Sequence, residues 1–253
     1  MTKVNYIFEG SGDKTIVFIH GLSDSLDYWR RLSLILNDEY NVLLYDLRGH
    51  GESEMGNEKF SMDILSDDLY NLFLKLNIQK ASLIGLSLGG NIALTFTLKH
   101  PELVEKLVLM STFSEIDENL ESKFKEFKDA INISYETFFD AIVKYVIPQD
   151  VYDENKEVLE IAKHMKAETA NIKAIENAID IGAEFNVTGQ LSKIASETLI
   201  LYGHDDEIIS LSLTHILNDN IENSKLIIFD NTKHDLLIGD NIFEIAKLIR
   251  QLI

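Results

Sequence analysis

Apolar positions along this chain follow two rhythms. Runs at 15–20 (TIVFIH), 41–45 (NVLLY), 80–85 (KASLIG) and 105–110 (EKLVLM) are nearly continuous in Val, Ile and Leu. A strand without polar alternation is covered on both faces, as inside a parallel sheet. Between these runs the period lengthens. Leu26, Trp29, Leu32 and Leu36 recur at helical spacing, as do Ile64, Leu65, Leu69, Leu72, Phe73 and Leu76. This predicts amphipathic helices over 25–36 and 61–76. Strand–helix alternation of this kind implies a mostly parallel central sheet flanked by helices, an α/β fold with right-handed crossovers. Residues 4–10 fit a further strand at its N-terminal edge.

The pattern changes after Ser114. The next stretch is charged and helix-periodic, with apolar stripes through Phe124, Phe127, Ile131, Phe138, Phe139, Ile142, Val143 and Val146 until Pro148 interrupts them. The block is too long for a single crossover. It predicts a helical cap, or lid, over 115–190, inserted after the strand ending near Met110. The helical spacing of Phe124, Phe127, Phe138, Phe139 and Tyr145 favours the cap's own core over a substrate pocket for most of them. Strands return at 198–202 (TLILY) and 225–229 (KLIIF), with helices expected at 210–217 and 241–253. The α/β core is therefore expected to comprise 1–114 and 191–253.

The sharpest chemical motif is Gly85-Leu86-Ser87-Leu88-Gly89, a G-x-S-x-G pentapeptide where a strand meets the helix 88–99. That context suits a strained turn presenting a nucleophilic serine above the sheet, with glycines letting neighbouring backbone pass close by. A helix N-terminus behind it favours developing negative charge. The G-x-G-x-x-G and Gly-Lys-Ser/Thr spacings of nucleotide loops are absent. A serine nucleophile needs a base and an acid that orients it. His234 follows the last strand, and Asp205 and Asp206 follow the penultimate one, so all lie near the strands' carboxyl ends. The order Ser, Asp, His suits this strand–turn–helix context. An oxyanion needs two backbone N–H donors. Leu88 follows the serine, and Leu22 sits in the loop His20-Gly21-Leu22-Ser23 after an early strand.

These residues together resemble the α/β-hydrolase family, in its serine esterase and lipase-like branch. His20-Gly21 looks like the family's oxyanion-loop motif, 46–53 (DLRGHGES) like its D-x-R-G-x-G-x-S loop, and 203–206 (GHDD) like its G-x-x-D acid motif. The last match selects Asp206 over Asp205. The resemblance implies a catalytic triad of Ser87, Asp206 and His234, with an oxyanion hole of Leu22 and Leu88 N–H. It implies a carboxylesterase acting without cofactor or metal on a small-molecule ester, with a short to medium acyl chain. Arg48 and His50 look structural in that family, and Trp29 looks like packing. Two departures stand out: Ser210 where many relatives carry proline, and Lys233 where many carry glycine, which sets a like charge beside any imidazolium at His234. The same scaffold leaves room for an enol-lactone or carbon–carbon bond hydrolase, or for a receptor that binds a small molecule without turnover. Haloalkane dehalogenases place an aspartate where Ser87 stands.

Composition narrows the setting. The 253 residues carry 23 Lys+Arg against 42 Asp+Glu, a formal charge of −19. Such a balance argues against nucleic acid and against docking on anionic lipid. The absence of cysteine removes disulfides and a thiol nucleophile. The first residues lack the apolar run of a signal peptide, and no run approaches the roughly 18 residues of a membrane span, so a cytoplasmic enzyme is expected. Oligomeric state leaves no trace in these patterns.

Overall fold

The apolar runs become strands of one sheet. In the computed structural model, which describes residues 2–253, these are β1 (Tyr6–Gly10), β2 (Thr15–Ile19), β3 (Asn41–Tyr45), β4 (Ala81–Leu86), β5 (Val104–Met110), β6 (Glu197–Gly203) and β7 (Ser224–Phe229). Their order across the sheet is β1-β3-β2-β4-β5-β6-β7. All neighbours pair in parallel except β1, which runs antiparallel to β3. At that edge only part of β1 is covered, whereas every residue of central β4 is buried.

Successive residues of one strand serve two cores. Val17, Leu43, Leu83 and Leu107 face one side, against α2 (Met62–Leu76), α3 (Leu88–Lys99) and α9 (Leu211–Asn220). Ile16, Phe18, Leu44, Ile84 and Val108 face the other, against α1 (Arg30–Leu36) and α10 (Asn241–Leu252). Period-two alternation persists, but both sides are apolar, which is why the strands read as unbroken hydrophobic runs.

The helix expected at 25–36 divides into a 3-10 turn, Leu26–Trp29, and α1. The Leu26 N–H donates to Asp46 Oδ1 at 2.7 Å, which ties that first turn to the loop after β3. Trp29 is fully buried with its ring 5.0 Å from that of Phe18, a packing role. Ser210 accepts from Leu213 N–H and caps α9, a task open to serine at the position where relatives carry proline.

Five helices lie between β5 and β6: α4 (Glu118–Ile131), α5 (Tyr135–Val146), α6 (Gln149–Glu154), α7 (Lys156–Thr169) and α8 (Ile172–Ala183). Asp117, Ser134 and Asn171 cap α4, α5 and α8 through their side chains, and Pro148 separates α5 from α6. Helix α4 packs on α5 and α8, and α8 reaches α3 of the sheet layer. Among the described residues no helix is long and apolar enough to cross a membrane.

The loop from β3 to α2 is held by buried charge. Arg48 donates to both oxygens of Asp68 at 2.7 Å and to Glu58 at 2.5 Å. The Arg48 and Asp68 side chains are only 4% and 7% exposed. Removing one partner of such a pair strands the other, at about 3–5 kcal/mol. Because Glu58 still reaches Arg48, Asp68→Ala is expected to cost about 3 kcal/mol, read as a lower urea midpoint with unchanged slope.

Candidate active site

Ser87 stands between β4 and α3 with φ 51° and ψ −119°, a backbone conformation that side-chain-bearing residues rarely adopt. Such a residue stores about 1–3 kcal/mol and persists only when its surroundings hold it. Its N–H donates to the Met110 carbonyl at 2.9 Å, and its carbonyl accepts from Thr112 Oγ1 at 2.7 Å. The flanking glycines are required by contact. A Cβ on Gly85 would lie 2.4 Å from the Gly89 carbonyl oxygen, and one on Gly89 would lie 2.1 Å from that of Ile19.

His234 lies in the loop after β7, and its Nδ1 sits 2.8 Å from Asp206 Oδ2. The Asp206 side chain is wholly buried. Its other oxygen accepts from the N–H groups of Ile208 and Ile209 at 2.9 and 3.0 Å, so the carboxylate has one orientation. With Asp206 accepting from Nδ1–H, the proton-free nitrogen of His234 is Nε2. The loop is fixed from below: Ser111 Oγ donates to the His234 carbonyl at 2.9 Å. At the end of β6, a Cβ on Gly203 would come within 2.2 Å of the Lys233 carbonyl oxygen. Lys233 directs its ammonium to Glu207 and to the Lys144 carbonyl, each at 2.7 Å. The positive charge beside His234 is thus already paired. Asp205 turns instead to His204, 2.8 Å away.

In the loop after β2, His20 is fully buried and bridges two backbone groups. Its Nδ1 lies 2.8 Å from the Gly21 carbonyl oxygen, and the Leu47 N–H donates to its Nε2 at 3.0 Å. That pair of contacts requires the neutral ring with the proton on Nδ1. Carbonyl and N–H of one trans peptide point opposite ways. Anchoring the Gly21 carbonyl on His20 therefore turns the Leu22 N–H away from that ring. Among the described residues no protein group accepts from the N–H of Leu22 or Leu88.

Ser87, His234, Leu22 and Leu88 all border one cavity of about 150 Å³. Its apolar wall includes Phe113 after β5, Leu120, Phe124 and Phe127 of α4, and Ile142 and Val146 of α5. Phe124 and Phe127 thus both pack in the core and face the cavity, while Phe138 is buried away from it. Four polar lining residues were not visible as candidates in the sequence: Asp24, Tyr28, Asn91 and Asp235. Asp235 adjoins His234 and Asp24 closely follows the His20-Gly21 pair, but neither position belongs to a spacing motif.

The family model for the α/β hydrolase fold matches residues 14–151, more than half of the chain. The chain belongs to the α/β-hydrolase fold family, and it is a hydrolase. It is 27% identical over 217 residues to a Serratia proteamaculans (strain 568) protein named "Putative carbamate hydrolase RutD", covering 84% of this chain and 80% of that one. It is 34% identical over 148 residues to the sn-1-specific diacylglycerol lipase ABHD11 of Danio rerio, covering 57% of this chain and 43% of that one. Its fold matches the crystal structure of MGS-M2, an alpha/beta hydrolase enzyme from a Medee basin deep-sea metagenome library. The TM-score there is 0.90 at 19% identity, over 99% of this chain and 94% of that one.

Burial lowers the pKa of His20, and it lowers that of His50 from 6.5 to about 4. An unfolded chain takes up protons at these rings below about 6.5, whereas in the fold they stay neutral to lower pH. Stability from the neutral His50 ring is therefore complete above pH 6.5 and is lost as pH falls toward 4. Thermal unfolding between pH 7.5 and 4.5 is expected to show a shallower loss of Tm in His50→Gln than in the parent chain; equal slopes would exclude His50 as a source.

Proposed function

We propose that the chain is a serine hydrolase that cleaves carboxylic esters of short acyl groups through an acyl-enzyme on Ser87. The observation that carries this reading is the hydrogen-bonded Asp206–His234 pair opening, with Ser87, onto one apolar cavity. His234 Nε2 takes the Ser87 proton as the hydroxyl attacks the carbonyl, and Asp206 fixes the ring's tautomer and stabilises its charge. The N–H groups of Leu22 and Leu88 receive the oxyanion, without reorganising when charge develops. His234 then protonates the leaving group. Water, activated by the same ring, releases the acid.

The cavity's size sets the acyl preference. A space of about 150 Å³ lined by Phe, Leu and Ile matches cavities that hold a molecule the size of benzene. An acetyl or butyryl chain fits it, and a palmitoyl chain does not. Residues 115–190 act as the lid, since α4, α5 and α8 all contribute to the wall. The Serratia relative named for carbamate hydrolysis supports a second reading: a carbamate presents the same carbonyl to the same groups, with nitrogen in place of the carbon next to it.

A panel of p-nitrophenyl acetate, butyrate, octanoate and palmitate, with a phenyl carbamate beside it, tests both readings. Activity is expected to peak at the short esters and to fall steeply by palmitate; a carbamate optimum would favour the second reading. Ser87→Ala is expected to lower kcat on the order of 10⁶-fold, and Asp206→Asn on the order of 10⁴-fold. Ester turnover surviving in Ser87→Ala would overturn the proposed nucleophile.

A further inference from the structure

Beside Ser87 and His234, the polar lining of the cavity includes Asp24 of the loop after β2, Tyr28 of the 3-10 turn that follows it, and Asp235 of the loop after β7. Tyr28 donates its hydroxyl to Asp235 Oδ1 at 2.7 Å, and the Leu237 N–H donates to the same oxygen at 2.9 Å. Both donors converge on Oδ1, and among the described residues none reaches Oδ2. Asp24 repeats the arrangement: its Oδ1 accepts from Ser25 N–H at 2.9 Å and from Lys166 of α7 at 3.1 Å, and among the described residues none donates to its Oδ2. A third acceptor lies deeper. Asn91 is fully buried, its Nδ2 donates to the Phe113 carbonyl at 2.7 Å, and its Oδ1 has no partner.

Around this cavity, then, acceptors outnumber donors. Besides the Ser87 hydroxyl, the free donors among the described lining residues include the Leu22 and Leu88 amides, which suit a carbonyl oxygen. A ligand that matches the remainder brings hydrogen-bond donors of its own: Asn91 Oδ1 is buried and unmet, which costs free energy, and the free oxygens of the half-buried Asp24 and Asp235 are open to a donor. Charge points the same way. Lys166 offsets one of the two carboxylates, and Lys233, the nearest lysine in sequence to Asp235, is engaged by Glu207. Burial pushes the Asp235 carboxyl above the usual carboxylate range, against the opposing pull of its hydrogen bonds. A carboxylate penalised in this way gains when a cation arrives beside it.

We propose that Asp235, held by Tyr28 and seconded by Asp24, selects substrates whose leaving group is a small N–H-bearing cation, such as the ester of an amino alcohol. This rests on the ester-hydrolase reading above and assigns its leaving-group side. The side follows from the chemistry: the departing oxygen must sit within reach of His234 to be protonated, which places its substituent beside residue 235. The bond broken is the acyl C–O bond. The proton received by the amino alcohol's oxygen is the one His234 took from Ser87, and water restores the enzyme. No redox partner is involved. An ammonium donating to Asp235 Oδ2 gains a charge-assisted hydrogen bond that a hydrocarbon of equal shape lacks, which is worth about tenfold in kcat/KM.

The test compares dimethylaminoethyl butyrate, protonated at neutral pH, with isopentyl butyrate, its neutral isostere. In the parent chain the cationic ester is expected to be favoured by about tenfold, less so at high ionic strength. Asp235→Asn keeps an oxygen for Tyr28 and Leu237 and is expected to remove most of that preference. Tyr28→Phe is expected to weaken it while the variant still folds. Equal turnover of the two esters, or a preference surviving in Asp235→Asn, overturns the assignment and leaves the hydrolase reading intact. Failure to hydrolyse p-nitrophenyl butyrate would instead count against the hydrolase reading. The preference is then read without turnover, by thermal shift of Ser87→Ala with dimethylaminoethanol and isopentanol: a larger shift with the amine supports Asp235, and equal shifts overturn it.

Discussion

A serine with φ of 51° at the carboxyl end of the central strand β4 is held there by close backbone approach on both sides. Gly85 and Gly89 pack against carbonyl oxygens at distances no Cβ tolerates, so the turn from β4 into α3 has essentially one shape. The strain stored there is offset by hydrogen bonds from the Met110 and Thr112 positions at the end of β5. The other groups depend on this placement. Because β2, β4, β5, β6 and β7 run parallel, the loops bearing Leu22, Ser87, Ser111, Asp206 and His234 all emerge at one end of the sheet. That is where ligands of open α/β sheets bind. Ser111 links two of these loops by holding the His234 carbonyl from the tip of β5.

A second set of buried polar groups supports the loop after β2. Asp46 accepts from Leu26 N–H, from Asn5 and from Glu52 N–H, and so pins three loops at once. His20 does the same for Gly21 and Leu47, but only as a neutral ring. A charged His20 would keep its Nδ1–H on the Gly21 carbonyl but would set a new Nε2–H against the Leu47 N–H. The bond that ties this ring, and with it the Gly21-Leu22 peptide, to the loop after β3 therefore depends on a protonation state. Fold stability and the geometry of the proposed oxyanion hole thus share one acid-sensitive element.

Much of this was legible in the sequence, for reasons that are physical. A strand covered on both faces must be apolar throughout, so β2, β3, β4 and β5 announced themselves, and their alternation with helices gave the parallel sheet. The pentapeptide around Ser87 was readable because the turn's geometry admits so few residues. Boundaries were less legible. Strand β1 begins at Tyr6, two residues past the expected start, and the helix over 25–36 divides at Trp29 into a 3-10 turn and α1. The Asp24, Tyr28 and Asp235 cluster left no trace at all. Its members come from two loops and share no period; only the folded sheet brings residues 28 and 235 within 2.7 Å. A spacing motif records what one turn needs locally, whereas a binding surface assembled from separate loops has no such local record.

This difference separates what the core contributes from what its surroundings add. The strands and their tight turns hold the groups proposed to break an acyl bond, and those groups are indifferent to what the acyl and leaving groups are. Selectivity must come from side chains that touch those substituents. On one side these are the aromatic and aliphatic residues of α4 and α5, which bound the space but offer no hydrogen bonds. On the other they are carboxylates, in a protein whose formal charge is −19. A field of that sign raises the local concentration of cations and lowers that of anions before any contact is made. The long-range field and the short-range acceptors of Asp24 and Asp235 therefore act in the same direction. An anionic leaving group meets opposition from both, so the apolar wall limits substrates by size while the acidic end sorts them by charge.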